Sequence, residues 1–154
     1  MATLYVLIGI PGSGKSTWAR NNAARLKAVV VSSDELRVEF ANSARSPLQG
    51  DAIFAEVERR ARAELLSNHT VILDATHFLR KYRAYALRLA REGGAYRIAV
   101  WFDMPLDVCL QRNAQRTNQT FGDETVPDEA VRRMHAQFQP PDKYEFDEIV
   151  RVTR

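Results

Sequence analysis

The sequence predicts a three-layer α/β fold, with a five-stranded parallel sheet and helices on both of its faces. Three observations predict it. Short apolar runs alternate along the chain with segments of helical period, the pattern of strands joined by crossover helices. The first run, Leu4 to Ile8, is apolar without a break, as a strand buried on both faces must be. Acids close the later runs, with Asp74 and Asp103 at the carboxyl ends where open parallel sheets gather ligands.

The elements follow in order. After the strand Leu4–Ile8 comes a helix from Lys15 to about Leu26, then a second strand, Ala28 to Val31. Ser32 and Glu35 have capping-box spacing, so a helix starts at Asp34 and carries Leu36, Val38 and Phe40. The segment 45–50, with Pro47 and Gly50, breaks that pattern, and helical period resumes over Asp51–Leu66. Thr70 to Leu73 is a third strand ending on Asp74. An arginine-rich helix over Leu79–Arg91 is closed by Gly93-Gly94. Ile98 to Phe102 is the fourth strand, ending on Asp103. Pro105 is tolerated as a first helical residue, so Leu106 to about Arg116 is helical. The polar stretch Thr117–Thr125 reads as a loop. Pro127-Asp128-Glu129 opens another helix, Pro140-Pro141 ends it, and Ile149–Val152 is the last strand.

Bulk properties narrow the class. A chain of 154 residues suits one compact domain over 1–154, and 45% hydrophobic with 27% charged residues is a soluble globular balance. The net charge of +3 is too small to establish a nucleic-acid partner by itself, although the pI of 9.2 leans that way. The single cysteine, Cys109, excludes an internal disulfide framework and fits a reducing compartment. No run approaches the roughly 18 apolar residues of a membrane span, and the N-terminus reads as a strand and not as a signal peptide. A cytoplasmic protein without a membrane partner is the expectation.

The strongest motif follows the first strand. Gly9-Ile10-Pro11-Gly12-Ser13-Gly14-Lys15-Ser16-Thr17 satisfies G-x-x-x-x-G-K-[ST], the phosphate loop, and lies between a buried strand and a helix as its mechanism requires. Its glycines let backbone N–H groups converge on phosphate oxygens, and the helix adds its positive end. Lys15 supplies a charge to the β and γ phosphates, and the Ser16 hydroxyl is a direct Mg²⁺ ligand. The fold is then a P-loop kinase fold that takes ATP with Mg²⁺.

Other P-loop classes fit less well. A guanine-reading Asn-Lys-x-Asp is absent. The apolar run Val29–Val31 is separated from Asp34-Glu35 by two serines, unlike the strand of a motor ATPase. An acid just past the second strand suits a kinase, facing the acceptor hydroxyl. Asp34 is therefore the candidate general base. Arg37, one turn on, shares its face and is a candidate for the acceptor's phosphate. Equally, Asp34 could complement the helix start and pair with Arg37.

Arg112 and Arg116 stand four apart before the polar loop. A guanidinium on a closing lid, approximately 112–127, would offset charge on the transferring phosphoryl group. A solvated arginine face is the plainer alternative. Asp74-Ala75-Thr76-His77 follows the third strand. Asp74, like Asp34, is a candidate for holding Mg²⁺ through water, and Thr76 and His77 for touching the acceptor; otherwise Asp74 and Thr76 cap the next helix. Arg80 and Arg83 lie nearest the strand ends and are candidates for acceptor phosphates, while Arg88 and Arg91 read as surface. His69, His77 and His135 lack metal-ligand spacing. Cys109, Trp18 and Trp101 read as packing residues.

These motifs together resemble the kinase domain of the phage-type and bacterial end-healing 5′-hydroxyl polynucleotide kinases, over nearly the whole chain. The loop through Ala19, the Asp34-x-x-Arg37 element, Asp74-Ala-Thr76-His77, and Phe102-Asp103-Met-Pro105 followed by Arg112-Asn113-x-x-Arg116 and Val126-Pro127 carry the resemblance. It implies that Asp34 is the general base, that Arg37 contacts the acceptor, and that Arg116, supported by Arg112, meets the donor phosphates in the transition state. It departs in a longer, more polar lid over Thr117–Thr125, in His77 where relatives commonly have asparagine, and in having no phosphatase or ligase module alongside. The expected activity is transfer of the γ-phosphate of ATP to a 5′-hydroxyl of RNA or DNA. A kinase for a small metabolite, a nucleoside or a tRNA-linked acceptor is the alternative, and a non-catalytic ATP-binding regulator the third reading.

Overall fold

The computed structural model describes residues 1–41, 50–116 and 126–153. The five strands are β1 (Thr3–Ile8), β2 (Ala28–Ser32), β3 (Thr70–Asp74), β4 (Tyr96–Phe102) and β5 (Glu148–Val152). All pair in parallel, in the order β2-β3-β1-β4-β5. The helices are α1 (Lys15–Leu26), α2 (Ser33–Ala41), α3 (Gly50–Leu66), α4 (Arg80–Gly93), α5 (Leu106–Ala114) and α6 (Asp128–Gln137). The α/β P-loop kinase fold expected from the sequence is the fold observed. Parts of the sequence reading fall outside the described residues: the interruption of helical period expected over 45–49 and the lid loop 117–125.

Alternation along β1 explains the two-sided burial. Leu4, Val6 and Ile8 point to the face covered by α3 and α4, where Ile53, Val57, Ala61, Ala86 and Leu89 pack against them. Leu7 points the other way, joining Ile72, Val100 and Ala19 of α1. Each of these β1 side chains is fully buried. Truncating one to alanine costs about 2–5 kcal/mol by loss of transfer energy and cavity formation. A third cluster, Ile10, Met104, Cys109 and Val131, joins the phosphate loop to α5 and α6. Cys109 is thus a core residue, as expected. Trp18 packs at 6.1 Å on Tyr5, and Trp101 at 6.5 Å on Phe138.

Element ends follow their local chemistry. The Ser32 hydroxyl accepts the Glu35 N–H at 3.3 Å and starts α2 at Ser33, one residue earlier than the spacing suggests. Gly94, in the left-handed conformation with φ of 62°, closes α4 by donating to the Ala90 and Arg91 carbonyls. Among the described residues no helix is long and apolar enough to cross a membrane.

Candidate active site

The loop between β1 and α1 is shaped by its glycines. Gly12 has φ of 84°, and a Cβ there would meet the Cys109 carbonyl oxygen at 2.2 Å. The loop can pass under α5 only because this residue is glycine. Gly14, φ 102°, is the N-cap of α1 and turns successive N–H groups toward one point. The Gly9 N–H donates to the Thr76 carbonyl at 3.0 Å, fixing the loop against the exit of β3. Ser13 Oγ is buried without a hydrogen-bond partner, a polar atom left for a ligand of the loop.

Lys15 is buried and donates to the Ile10 carbonyl at 3.1 Å. Burial lowers its pKa to about 8, against the upward pull of the Asp74 and Asp34 carboxylates; the Arg116 charge lowers it further. Ser16 donates to Asp74 Oδ2 at 2.8 Å. Burial also raises the Asp74 carboxyl pKa, with Lys15 and the Ser16 hydroxyl opposing. An oxygen-only pair beside a phosphate loop suits Mg²⁺, which is completed by phosphate and water.

The strand register carries the acceptor side next to this pair. Ser32, the last residue of β2, lies opposite Asp74, so Asp34 emerges in the first turn of α2 beside the same carboxylate. Asp34 and Arg37 form a half-exposed ion pair at 3.0 Å. Asp34 thus pairs with Arg37 and sits at a helix start, and its charge also reaches Lys15 and Asp74. Glu35, which the sequence reading used only as a capping residue, is a third carboxyl here. Burial first, and then the Asp74 charge, raise its pKa.

Arg112 lies over the loop, its Nη1 3.7 Å from where a Gly14 Cβ would stand. The helix expected to run to about Arg116 stops at Ala114, so Arg116 does not share a helical face with Arg112. Its N–H closes onto the Asn113 carbonyl at 3.2 Å, and its charge acts on both Lys15 and Asp74. The sequence passed over the role of Asn113, a buried side chain. Its amide donates to the Val126 carbonyl at 2.5 Å and accepts the Val126 N–H at 3.1 Å, joining α5 to the start of the α6 segment.

Two acceptor-side expectations are corrected. Arg83 is fully buried and held by Glu145 at 2.9 and 3.0 Å and by the His77 and Gln139 carbonyls at 2.8 and 2.9 Å. Four of its five N–H groups are committed to these partners and the side chain has no exposed surface, so it cannot meet an acceptor phosphate. His77 is buried with φ of 48°, and both ring nitrogens are committed: Nδ1 to the Leu7 carbonyl at 2.7 Å and Nε2 to the Tyr85 hydroxyl at 2.6 Å. Because a carbonyl only accepts, Nδ1 carries the proton and Nε2 accepts from Tyr85. Arg80 is exposed and its surface pair with Asp142, like that of Arg37 with Asp34, is of the weak, exchangeable kind. Proximity to the strand ends misplaced Arg83, since its partner Glu145 lies 62 positions away and no local pattern marks it. Thr76 stays at the site, half-buried beside the loop.

A parallel sheet whose first strand feeds a phosphate loop, with acids just past the end of β2 and at the end of β3 and Arg112 over the loop, defines a P-loop kinase fold. The model of the AAA domain family (AAA_33) matches residues 4–141, and the chain belongs to that family. It is 24% identical over 151 residues to the L-seryl-tRNA(Sec) kinase of Methanococcus maripaludis, covering 94% of this chain and 56% of that protein. It is 29% identical to the shikimate kinase of Bradyrhizobium diazoefficiens, covering 90% of this chain and 67% of the other. A chain in the structure of a Pnkp1/Rnl/Hen1 RNA repair complex superposes with a TM-score of 0.74 at 30% identity, over 88% of this chain and 43% of that one. The chain thus spans little more than half the length of the seryl-tRNA kinase it matches.

Proposed function

We propose that the chain is an ATP-dependent phosphotransferase acting on the 5′-hydroxyl ends of RNA or DNA, with Asp34 as general base. The observation that carries the reading is the register of β2 and β3. It brings Ser32 opposite Asp74, the partner of Ser16, so that Asp34, two residues on, emerges near the carboxylate that serves the phosphate loop. The 30% identity to a chain of an RNA repair complex supports the polynucleotide acceptor.

The donor triphosphate lies along the loop amides, with Lys15 and Arg116 offsetting charge on the β and γ phosphates. Ser16, with Asp74 and Asp34 through water, would hold Mg²⁺, and the ion would supply charge neutralisation of the phosphates. Arg37 releases Asp34 to bind the acceptor's phosphate, which an exposed pair worth under about 1 kcal/mol readily allows. The acceptor oxygen then bonds to the γ phosphorus as its proton passes to Asp34. The bond from the γ phosphorus to the bridging oxygen breaks, and the electrons leave with the diphosphate. Little covalent chemistry is asked of the protein beyond positioning.

A labelled-ATP transfer assay with 5′-hydroxyl oligonucleotides tests the reading. Asp34→Ala is expected to lower transfer at least about 100-fold while nucleotide binding persists. Absence of transfer to any oligonucleotide, with ATP turnover intact, refutes the acceptor. A kinase for a small metabolite, a nucleoside or a tRNA-linked acceptor is the second reading, favoured by the seryl-tRNA and shikimate kinase relatives.

A further inference from the structure

Beside the candidate site the molecule holds a cavity of about 620 Å³ between α3 and the start of α4. It begins at Thr76, whose carbonyl binds the phosphate loop at Gly9, two residues past Asp74. Its lining is aromatic. Phe54 of α3 meets Tyr85 of α4 edge to face at 5.9 Å, and Phe78 meets Tyr82 in the same manner at 5.3 Å. His77 stacks on Tyr85 at 5.7 Å and hydrogen-bonds it, so the floor is locked to β1 through the Leu7 carbonyl. Tyr82 is 47% exposed, with the Lys81 ammonium 5.4 Å from its ring centre.

The charges of this lining select among acceptors. They are Lys81 and Glu58, and Glu58 is already engaged by Arg62 and Arg88 at 3.0 and 2.9 Å. Among the described residues the lining contains no arginine. A sugar acid or a phosphorylated metabolite needs a guanidinium or a set of ammonium groups to hold its anion, and this cavity offers one ammonium group, Lys81, together with the Glu58 carboxylate. A nucleobase matches it better, since its π-face stacks on aromatic rings while its edge meets the Thr76 hydroxyl, Lys81 or Glu58. We infer that this cavity receives the base of the acceptor's terminal nucleotide, with Tyr82 as its stacking platform, so that the attached 5′-hydroxyl is presented to Asp34. The inference rests on the phosphotransferase reading for its orientation but not for its occupancy.

The test uses the whole chain and short single-stranded oligonucleotides with a 5′-hydroxyl end and 2-aminopurine as first base, compared with the same strand made abasic at that position. Without nucleotide, binding is expected to quench the 2-aminopurine fluorescence, and the abasic strand to bind at least about fivefold more weakly. Tyr82→Ala is expected to weaken binding of the base-bearing strand by a similar factor and Tyr82→Phe to retain it. Tyr96→Ala, at the opposite end of the sheet, is expected to leave binding unchanged. In transfer assays the abasic end and Tyr82→Ala raise KM and leave kcat within about twofold, because stacking is lost equally in ground and transition states. Equal affinity for abasic and base-bearing ends, unchanged binding by Tyr82→Ala, or no quenching at all overturns the inference. Quenching that depends on Tyr82 without any phosphate transfer upholds the pocket and overturns the kinase reading alone.

Discussion

At the scale of single residues, the site is a set of charges whose values depend on burial. Lys15 illustrates this, since burial brings its ammonium to about pKa 8 while two nearby carboxylates hold it from falling further. The free protein therefore sheds the Lys15 proton as pH rises through about 8, and nucleotide phosphates, which favour the charged form, restore it. Proton uptake on nucleotide binding is expected to grow between about pH 7.5 and about pH 9. Calorimetry in buffers of different ionisation enthalpy measures it, and uptake that stays flat over that range would place Lys15 at an ordinary value. Arg37 gives a second residue-scale prediction. Its pair with Asp34 is about half exposed, so Arg37→Ala is expected to change stability by less than about 1 kcal/mol. If Arg37 holds the acceptor's phosphate, the same variant raises acceptor KM by about tenfold or more. A large loss of stability with unaltered KM would make the pair merely structural.

At the scale of elements, the strands and the phosphate loop were legible because their signals are local. An unbroken apolar run, two glycines at φ near 90° and a lysine-serine pair each declare themselves within a few residues. The acceptor side was legible only in part. Asp34 could be placed by its position after β2, but Arg83 looked like a second phosphate ligand until its partner Glu145, 62 residues on, was seen. That buried pair fastens α4 to the segment before β5, and removing one partner leaves the other charged and desolvated. Glu145→Ala is expected to cost about 3–5 kcal/mol, whereas replacing both with methionine restores most of it, because the penalty belongs to the unpaired charge. Urea unfolding of the two single variants and the double variant measures the difference. Additive losses in the double variant would mean that the clasp works through packing instead.

At the scale of the whole molecule, stability against pH sums groups that pull in opposite directions. His77 lies fully buried between β1 and Tyr85, and desolvation lowers its pKa to about 4 from 6.5. In the unfolded chain it protonates as pH falls below 6.5, while in the folded protein it stays neutral until about 4. The unfolded state therefore holds more protons in that window, and the contribution of His77 is complete above 6.5 and lost as pH falls toward 4, with a slope of at most about 1.4 kcal/mol per pH unit. Asp74 and Glu35 act in the reverse sense. Their folded-state values are raised, so the folded state keeps protons the unfolded state has released, and their contributions fade as pH rises through the raised values. The wild-type slope is the balance of these terms, and a substitution at His77 isolates one of them. Asparagine is the replacement of choice, because it tolerates the positive φ at this position and does not titrate. Unfolding free energies at about pH 5 and about pH 7 are expected to differ less for His77→Asn than for the wild type, by roughly 1–2 kcal/mol. An identical pH difference in the two proteins would mean that His77 titrates normally despite its burial, and that the Nδ1–Leu7 and Nε2–Tyr85 bonds do not hold it in the neutral form.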